Sequence, residues 1–270
     1  MKLFELRKKL KSEFASLDIE VEDVDFIIAE VLNVKRTELT LIENITEDQE
    51  KEILEKCEMR KNNIPVDKIF KKAYFYGFQF AVDENVLSPR PESEFLVESA
   101  LKYIKENNYK TCLDLCTGSG CLAIATKLNC DIEMTASDVS MKALSVAKQN
   151  AKSLKAEIKF IRSNMFEKIE GQFDLIISNP PYIDSDEVKE LDLEVINNDP
   201  HLALDGGELG LKFYNIIHNN LRKHLTDNGM IIMEIGNEQK ELIISLFNDF
   251  NLVESLKDLS GNDRVLIFKK

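Results

Sequence analysis

Apolar residues in the first part of the chain recur at helical spacing: Leu3, Leu6, Leu10 and Phe14, then Val24, Ile27, Ile28 and Val31, then Ile53, Leu54 and Cys57. Side chains three and four positions apart share one helix face, so this pattern predicts three amphipathic helices joined by polar connections. Asp18 to Asp23 is an acidic break between the first two. Thr46-Glu-Asp-Gln49 has the spacing of a capping box and opens the third. From Phe70 to Val82 the pattern changes to β-prone aromatics, with Tyr74, Phe75, Tyr76, Phe78 and Phe80 around Gly77, which predicts a hairpin. Leu87-Ser-Pro-Arg-Pro-Glu92 is extended by its prolines, and Ser93 to Ile104 is again an amphipathic helix.

Beyond residue 110, short apolar runs alternate with helical patterns. Strands are predicted at Thr111–Leu115, Ile132–Ser137, Glu157–Ile161, Phe173–Ile177, Gly229–Ile235, Leu252–Leu256 and Arg264–Phe268. Helices are predicted at Cys121–Leu128, Met141–Leu154, Leu211–His224 and Glu238–Phe247. Strand-helix alternation predicts an α/β fold, a doubly wound and mostly parallel seven-stranded sheet, with a small N-terminal helical domain. The expected division is a helical partner-docking domain over 1–68, a hairpin linker over 69–91 and the sheet domain over 92–270.

Composition narrows the function. With 270 residues, 44% of them hydrophobic, the chain can bury a substantial core. A net charge of −13 argues against a general affinity for phosphate backbones, which rests on clustered Lys and Arg. The local exception, Lys56 to Lys72, reads as a solvated charged face. Cys57, Cys112, Cys116, Cys121 and Cys130 contain no C-x-x-C pair, and His201, His218 and His224 have no ligand spacing, so free thiols and no metal are expected. No apolar run reaches the ~20 residues of a membrane span, and the amphipathic first ten residues lack a signal peptide's apolar region. A soluble, cytoplasmic, monomeric protein is expected.

Candidate chemistry lies at the ends of the predicted strands. Asn179-Pro180-Pro181-Tyr182 follows the apolar run Phe173–Ile177, and its two prolines fix φ and remove two donors. The rigid loop offers the Asn179 side-chain carbonyl, backbone carbonyls near Pro180 and the face of Tyr182. This set suits a planar NH2, whether a carboxamide or the exocyclic amine of a base. Cys116-Thr117-Gly118-Ser119-Gly120 ends the first strand, where two glycines let the backbone approach a ligand. About twenty residues on, Asp138 is placed to accept from ribose hydroxyls, a spacing that fits NAD or S-adenosylmethionine. Asn164, Met165 and Phe166 follow the third strand and suit an adenine ring.

This order of motifs resembles the class I S-adenosylmethionine-dependent methyltransferases. More closely it resembles the HemK/PrmC family, the peptide chain release factor glutamine methyltransferases. The residues that carry the resemblance are Leu87-Ser-Pro-Arg-Pro-Glu-Ser-Glu94, Asn179-Pro-Pro-Tyr-Ile183, Leu204-Asp-Gly-Gly-Glu-Leu-Gly-Leu211 and Gly261-Asn-Asp-Arg-Val265. It runs from about Ile64 to the end. Cys116 stands where the family has its first loop glycine, and Asn164 where members usually carry an acid. The resemblance implies transfer of a methyl group from S-adenosyl-L-methionine to the side-chain amide nitrogen of the Gly-Gly-Gln glutamine of a release factor. It implies that Asn179 and Pro180 accept the amide hydrogens, that Tyr182 packs on the amide and that Arg90 and Pro181 complete the substrate site. A nucleic-acid adenine amino-methyltransferase and a non-catalytic cofactor-binding scaffold are the rivals.

Overall fold

The computed structural model describes residues 2–270, which fall into two compact units. The smaller comprises residues up to Lys71 together with Asp192–Asn198. Its helices are α1 (Leu3–Ser16), α2 (Glu22–Leu32), α3 (Glu47–Lys61) and α4 (Val66–Phe70). The apolar faces read from the sequence converge, with Leu3, Leu6, Leu10, Phe14, Val24, Ile27, Ile28, Ile53 and Cys57 all buried in one cluster. The Thr46 capping box forms in both directions, Gln49 N donating to Thr46 Oγ1 at 3.2 Å and Thr46 N to Gln49 Oε1 at 3.0 Å. Within Lys56 to Lys72, Arg60 is not part of an open face. It is 8% exposed and ion-paired to Asp23 at 2.6 Å and Glu194 at 2.7 Å.

In the larger unit the hairpin strands β1 (Lys72–Phe75) and β2 (Phe78–Ala81) pair antiparallel. The hairpin was expected as a linker, but Phe75 and Phe80 are buried in the core of this unit. There follow α5 (Glu94–Asn107), β3 (Thr111–Leu115), α6 (Cys121–Asn129), β4 (Glu133–Asp138), α7 (Met141–Leu154), β5 (Ile158–Arg162) and β6 (Phe173–Ser178). Then come α8 (Leu193–Asn198), which belongs to the smaller unit, α9 (Lys212–His224), β7 (Leu225–Glu234), α10 (Lys240–Leu246), β8 (Asn251–Lys257) and β9 (Asp263–Lys269). The seven-stranded sheet has the order β5-β4-β3-β6-β7-β9-β8. It is parallel from β5 to β7, and β9 pairs antiparallel with both neighbours.

The central strands are nearly continuous apolar runs because both faces of the sheet are covered. One core layer gathers Leu96, Val97, Ile124, Leu175, Ile177 and Ile232, the other Leu113, Leu115, Ile176, Tyr214, Ile231 and Phe247. Alternate residues of β3, β6 and β7 thus feed opposite layers. Chain order reverses between β3 and β6, which pair in parallel with Leu115 opposite Ser178. Ligands in such sheets bind beyond the carboxyl ends at this switch point. No helix among the described residues is long and apolar enough to cross a membrane.

Candidate active site

A cleft of about 290 Å³ opens beyond the carboxyl ends of the strands. Its walls include Cys116 to Ser119, Asp138 to Ser140, Ser163 to Met165, Asn179, Pro181 and the extended segment Asn85 to Arg90. The sheet register explains why segments distant in sequence meet here. Leu115 lies between Ser137 and Ser178, and Asp138 pairs with Arg162, so the loops after β3, β4, β5 and β6 emerge side by side.

The loop after β3 turns through left-handed backbone at Cys116 (φ 62), Gly118 (φ 52) and Gly120 (φ 83). Thr117 N donates to Ser137 O at 2.9 Å and Gly120 N to Thr117 O at 2.8 Å. A Cβ on Gly118 would meet nothing within 4 Å, so the loop leaves an open cradle there. Gly120 faces the other way, where a Cβ would come within 3.1 Å of Ala147 and Ile124. Asn150 braces the loop from α7, its Nδ2 donating to Ser119 O at 2.9 Å and to Ala81 O at 3.0 Å. Gly118 N and Ser140 N donate to the Asp138 carboxylate at 3.0 and 2.8 Å, which fixes its plane. Burial raises the Asp138 pKa above its ordinary value, and these N–H bonds oppose the rise. Beneath the loop, fully buried Asp114 accepts from Thr117 Oγ1 at 2.6 Å, and burial pushes its pKa to about 7.

The loop after β6 is held from three sides. Ser178 Oγ donates to Leu115 O at 2.9 Å. Asn179 Nδ2 donates to Ser93 Oγ at 3.2 Å, and Ser93 Oγ donates to Glu234 Oε2 at 2.5 Å. The Tyr182 hydroxyl reaches the other oxygen of Glu234 at 3.2 Å. Glu234 is 2% exposed, and burial raises its pKa while Ser93, Arg264 and Tyr182 favour the carboxylate. The backbone of Tyr182 is clamped as well, since Gln239 Nε2 donates to its carbonyl at 2.8 Å. The glycines of Leu204–Leu211 let that segment lie directly on it. A Cβ on Gly206 would sit 2.8 Å from Pro181 O, and one on Gly210 only 1.9 Å from Tyr182 O.

Of the residues expected from sequence, Cys116, Thr117, Gly118, Ser119, Asp138, Asn164, Met165, Asn179, Pro181 and Arg90 line the cleft. Gly120, Phe166, Pro180 and Tyr182 are not in its wall. Phe166 is buried. It turns into the core and stacks on His224 with ring centroids 4.8 Å apart, because φ is 48° at Met165 and the strand-end loop reverses there. Tyr182 was expected to present an open face. Its ring instead packs at the edge of the core with its hydroxyl committed to Glu234. Arg90 is ion-paired to Asp199 at 3.2 Å, and Asn164 Nδ2 donates to Glu167 at 2.7 Å. Glu234, Gln239 and Asn150 were not singled out in the sequence; an acid ending a strand carries no signal of its own. Ser93, Arg264 and the glycines of 204–211 were visible only within motifs.

The sheet order and the cleft at the β3/β6 switch define a class I S-adenosylmethionine-dependent methyltransferase. A Methyltransferase small domain family model matches residues 91–224. A methyltransferase from Pyrococcus furiosus shares the fold, with a TM-score of 0.57 at 19% identity over 78% of this chain and 98% of that one. The family is shown by closer relatives. The release factor glutamine methyltransferase of Agrobacterium fabrum is 37% identical over 99% of this chain and 96% of its own length. That of Streptococcus pneumoniae is 36% identical over 99% and 98%. The chain belongs to the release factor glutamine methyltransferase family.

Proposed function

We propose that the chain transfers a methyl group from S-adenosylmethionine to the side-chain amide nitrogen of the glutamine in the Gly-Gly-Gln loop of a peptide chain release factor. The observation that carries the assignment of the site is the orientation of Asn179. With Nδ2 turned to Ser93, Oδ1 is the arm of the amide left for the cleft.

The residues fit the cofactor. The open cradle over Gly118 admits close approach of a ligand to the backbone, and the plane of Asp138 is set by two N–H donors at the cleft wall. Asp138 takes the ribose hydroxyls, Met165 and Asn164 flank the base, and Cys116 to Ser119 line the tail. When bound, the cofactor supplies an electrophilic methyl carbon on a sulfonium that leaves as a neutral thioether.

An amide nitrogen is a weak nucleophile because its lone pair is conjugated with the carbonyl, so placement carries most of the catalysis. Asn179 Oδ1, at the cleft wall, accepts one amide hydrogen, and the carbonyl of Pro180, the next residue of the loop though outside that wall, accepts the other as the substrate enters; their negative ends stabilise the positive charge that grows on nitrogen. Tyr182 acts by holding the loop. The nitrogen loses a proton to water once the new N–C bond has formed, so no strong base is required. The substrate is protein rather than nucleic acid, consistent with a charge of −13.

Titration with S-adenosylmethionine followed by parallel transfer assays on a release factor and on adenine-containing DNA and RNA tests this. Transfer to the release factor alone is expected. Transfer to nucleic acid, or binding without transfer to any of them, would overturn it.

A further inference from the structure

The acceptor role of Asn179 depends on which way its carboxamide faces, and asparagine by itself does not decide this. A half-turn about χ2 exchanges Oδ1 for Nδ2, replacing an acceptor with a donor that would confront the hydrogens of the substrate amide. We infer that Ser93 and Glu234 form a one-way hydrogen-bond relay that fixes this orientation, which makes Ser93 a positioning residue for methyl transfer. The inference rests on the acceptor role proposed above.

The direction follows from donor and acceptor capacity. A carboxylate only accepts. Glu234 accepts from Tyr182 through one oxygen and from Ser93 through the other. The Ser93 contact, 2.5 Å, has the length of an O–H donating to a charged oxygen. A serine has one hydrogen to give, and here it goes to Glu234. Toward Asn179 its oxygen can therefore only accept, which selects Nδ2 for the Ser93 side and leaves Oδ1 for the cleft. Arg264 supplies opposite charge near Glu234, and Tyr182 spends its own hydroxyl hydrogen in the same direction. Each link thus points away from the cleft.

A second observation separates this from a structural role. Ser93 ends a 3-10 turn over Pro91–Ser93 that runs into α5, with helical backbone (φ −71, ψ −11), so its hydroxyl caps no backbone N–H of the first turn and is free for a distant partner. The hydroxyl is instead spent on Glu234, 141 residues away, in a pocket where Ser93 is 3% exposed. Ser93 thereby ties the start of α5 to the loop after β6 and to the end of β7.

The test is a double-mutant cycle on methyl transfer to a release factor, using tritiated S-adenosylmethionine, with cofactor affinity by calorimetry and folding by thermal melting. Ser93→Ala is expected to lower kcat about 10- to 100-fold, the scale of a lost orientation, with KM and cofactor affinity little changed; because buried Glu234 also loses a donor, the melting temperature falls by a few degrees. Ser93→Thr, which keeps the hydroxyl, restores turnover to within about threefold. Glu234→Gln, whose amide can donate as well as accept, lowers kcat in the same way, and neither substitution slows Asn179→Ala further. If Ser93→Ala slows Asn179→Ala by its full factor again, or acts through KM, the relay is wrong while the acceptor role stands. If Asn179→Ala keeps its turnover, the acceptor role is wrong and the relay falls with it.

Discussion

Gly210→Ala is a test of how rigidly the loop after β6 must be held. Gly210 has φ +66, and its added Cβ would lie 1.9 Å from the Tyr182 carbonyl oxygen and 2.4 Å from Gln239 Nε2. Ordinary contact begins near 3.4 Å, so the two segments must part by about 1.5 Å. Left-handed backbone costs a non-glycine residue about 1–2 kcal/mol, and losing the hydrogen bond from Gln239 to Tyr182 O costs about 1 kcal/mol more. The overlap itself is relieved only by moving the loop. A total of about 2–3 kcal/mol, before any cost of the overlap, corresponds to a fall in melting temperature of about 4–6 °C for a protein of this size. Because Asn179 lies three residues from Tyr182, a shift above 1 Å at the loop is expected to lower kcat about 100-fold. Gly171→Ala is the control. It has φ +82 with nothing within 4 Å, so it carries the backbone strain without the overlap. Melting by calorimetry and methyl transfer at saturating cofactor measure both effects. Equal melting temperatures for the two variants, with full turnover in Gly210→Ala, would refute the claim that the 204–211 segment positions the loop.

Two further outcomes follow from the geometry of the cleft. Asp138→Ala removes the acceptor for Gly118 N and Ser140 N along with the proposed ribose contact, and should weaken S-adenosylmethionine binding about 100-fold by calorimetry with a smaller effect on saturated turnover; unchanged affinity would remove Asp138 from the site. Burial raises the Asp114 pKa from 3.8 to about 7, so between those values the native state keeps a proton that the unfolded chain has released, and stability falls as pH rises. Above about pH 7 this contribution is flat, having been fully present below about pH 4. Asp114→Asn lacks the proton, and its melting temperature should gain on that of the parent protein between pH 5 and pH 7; parallel curves would contradict the shift.

The sheet was largely legible in the sequence because strands covered on both faces are short continuous apolar runs, and β3, β6 and their following loops stand out by that contrast. The hairpin was legible as a hairpin but not as part of the core, since burial of Phe75 and Phe80 depends on neighbours far along the chain. Residues 184 to 211 show no period. They form short turns of helix fixed by glycine contacts and by bonds such as Ile183 N to Leu204 O, which leave no apolar stripe. Backbone-defined parts of the site, the Gly118 turn and the proline loop, could be read because glycine and proline state their constraints locally. Side-chain direction could not. Phe166 and Tyr182 are aromatic residues beside the cleft, and only tertiary packing turned one onto His224 and tied the other to Glu234. The pairing of Ser93 with Glu234 spans 141 residues and has no local trace.

The central claim is that Asn179 Oδ1 grips a glutamine amide so that its nitrogen receives the methyl group. Peptide mapping by mass spectrometry of a release factor incubated with the enzyme and S-adenosylmethionine tests it most directly, with Asn179→Ala alongside. One added methyl on the Gly-Gly-Gln glutamine is expected, with the rate lowered about 100- to 1,000-fold in the variant, the range for losing one aimed group at a developing charge. A methyl found elsewhere, or equal rates from the two proteins, would contradict the claim.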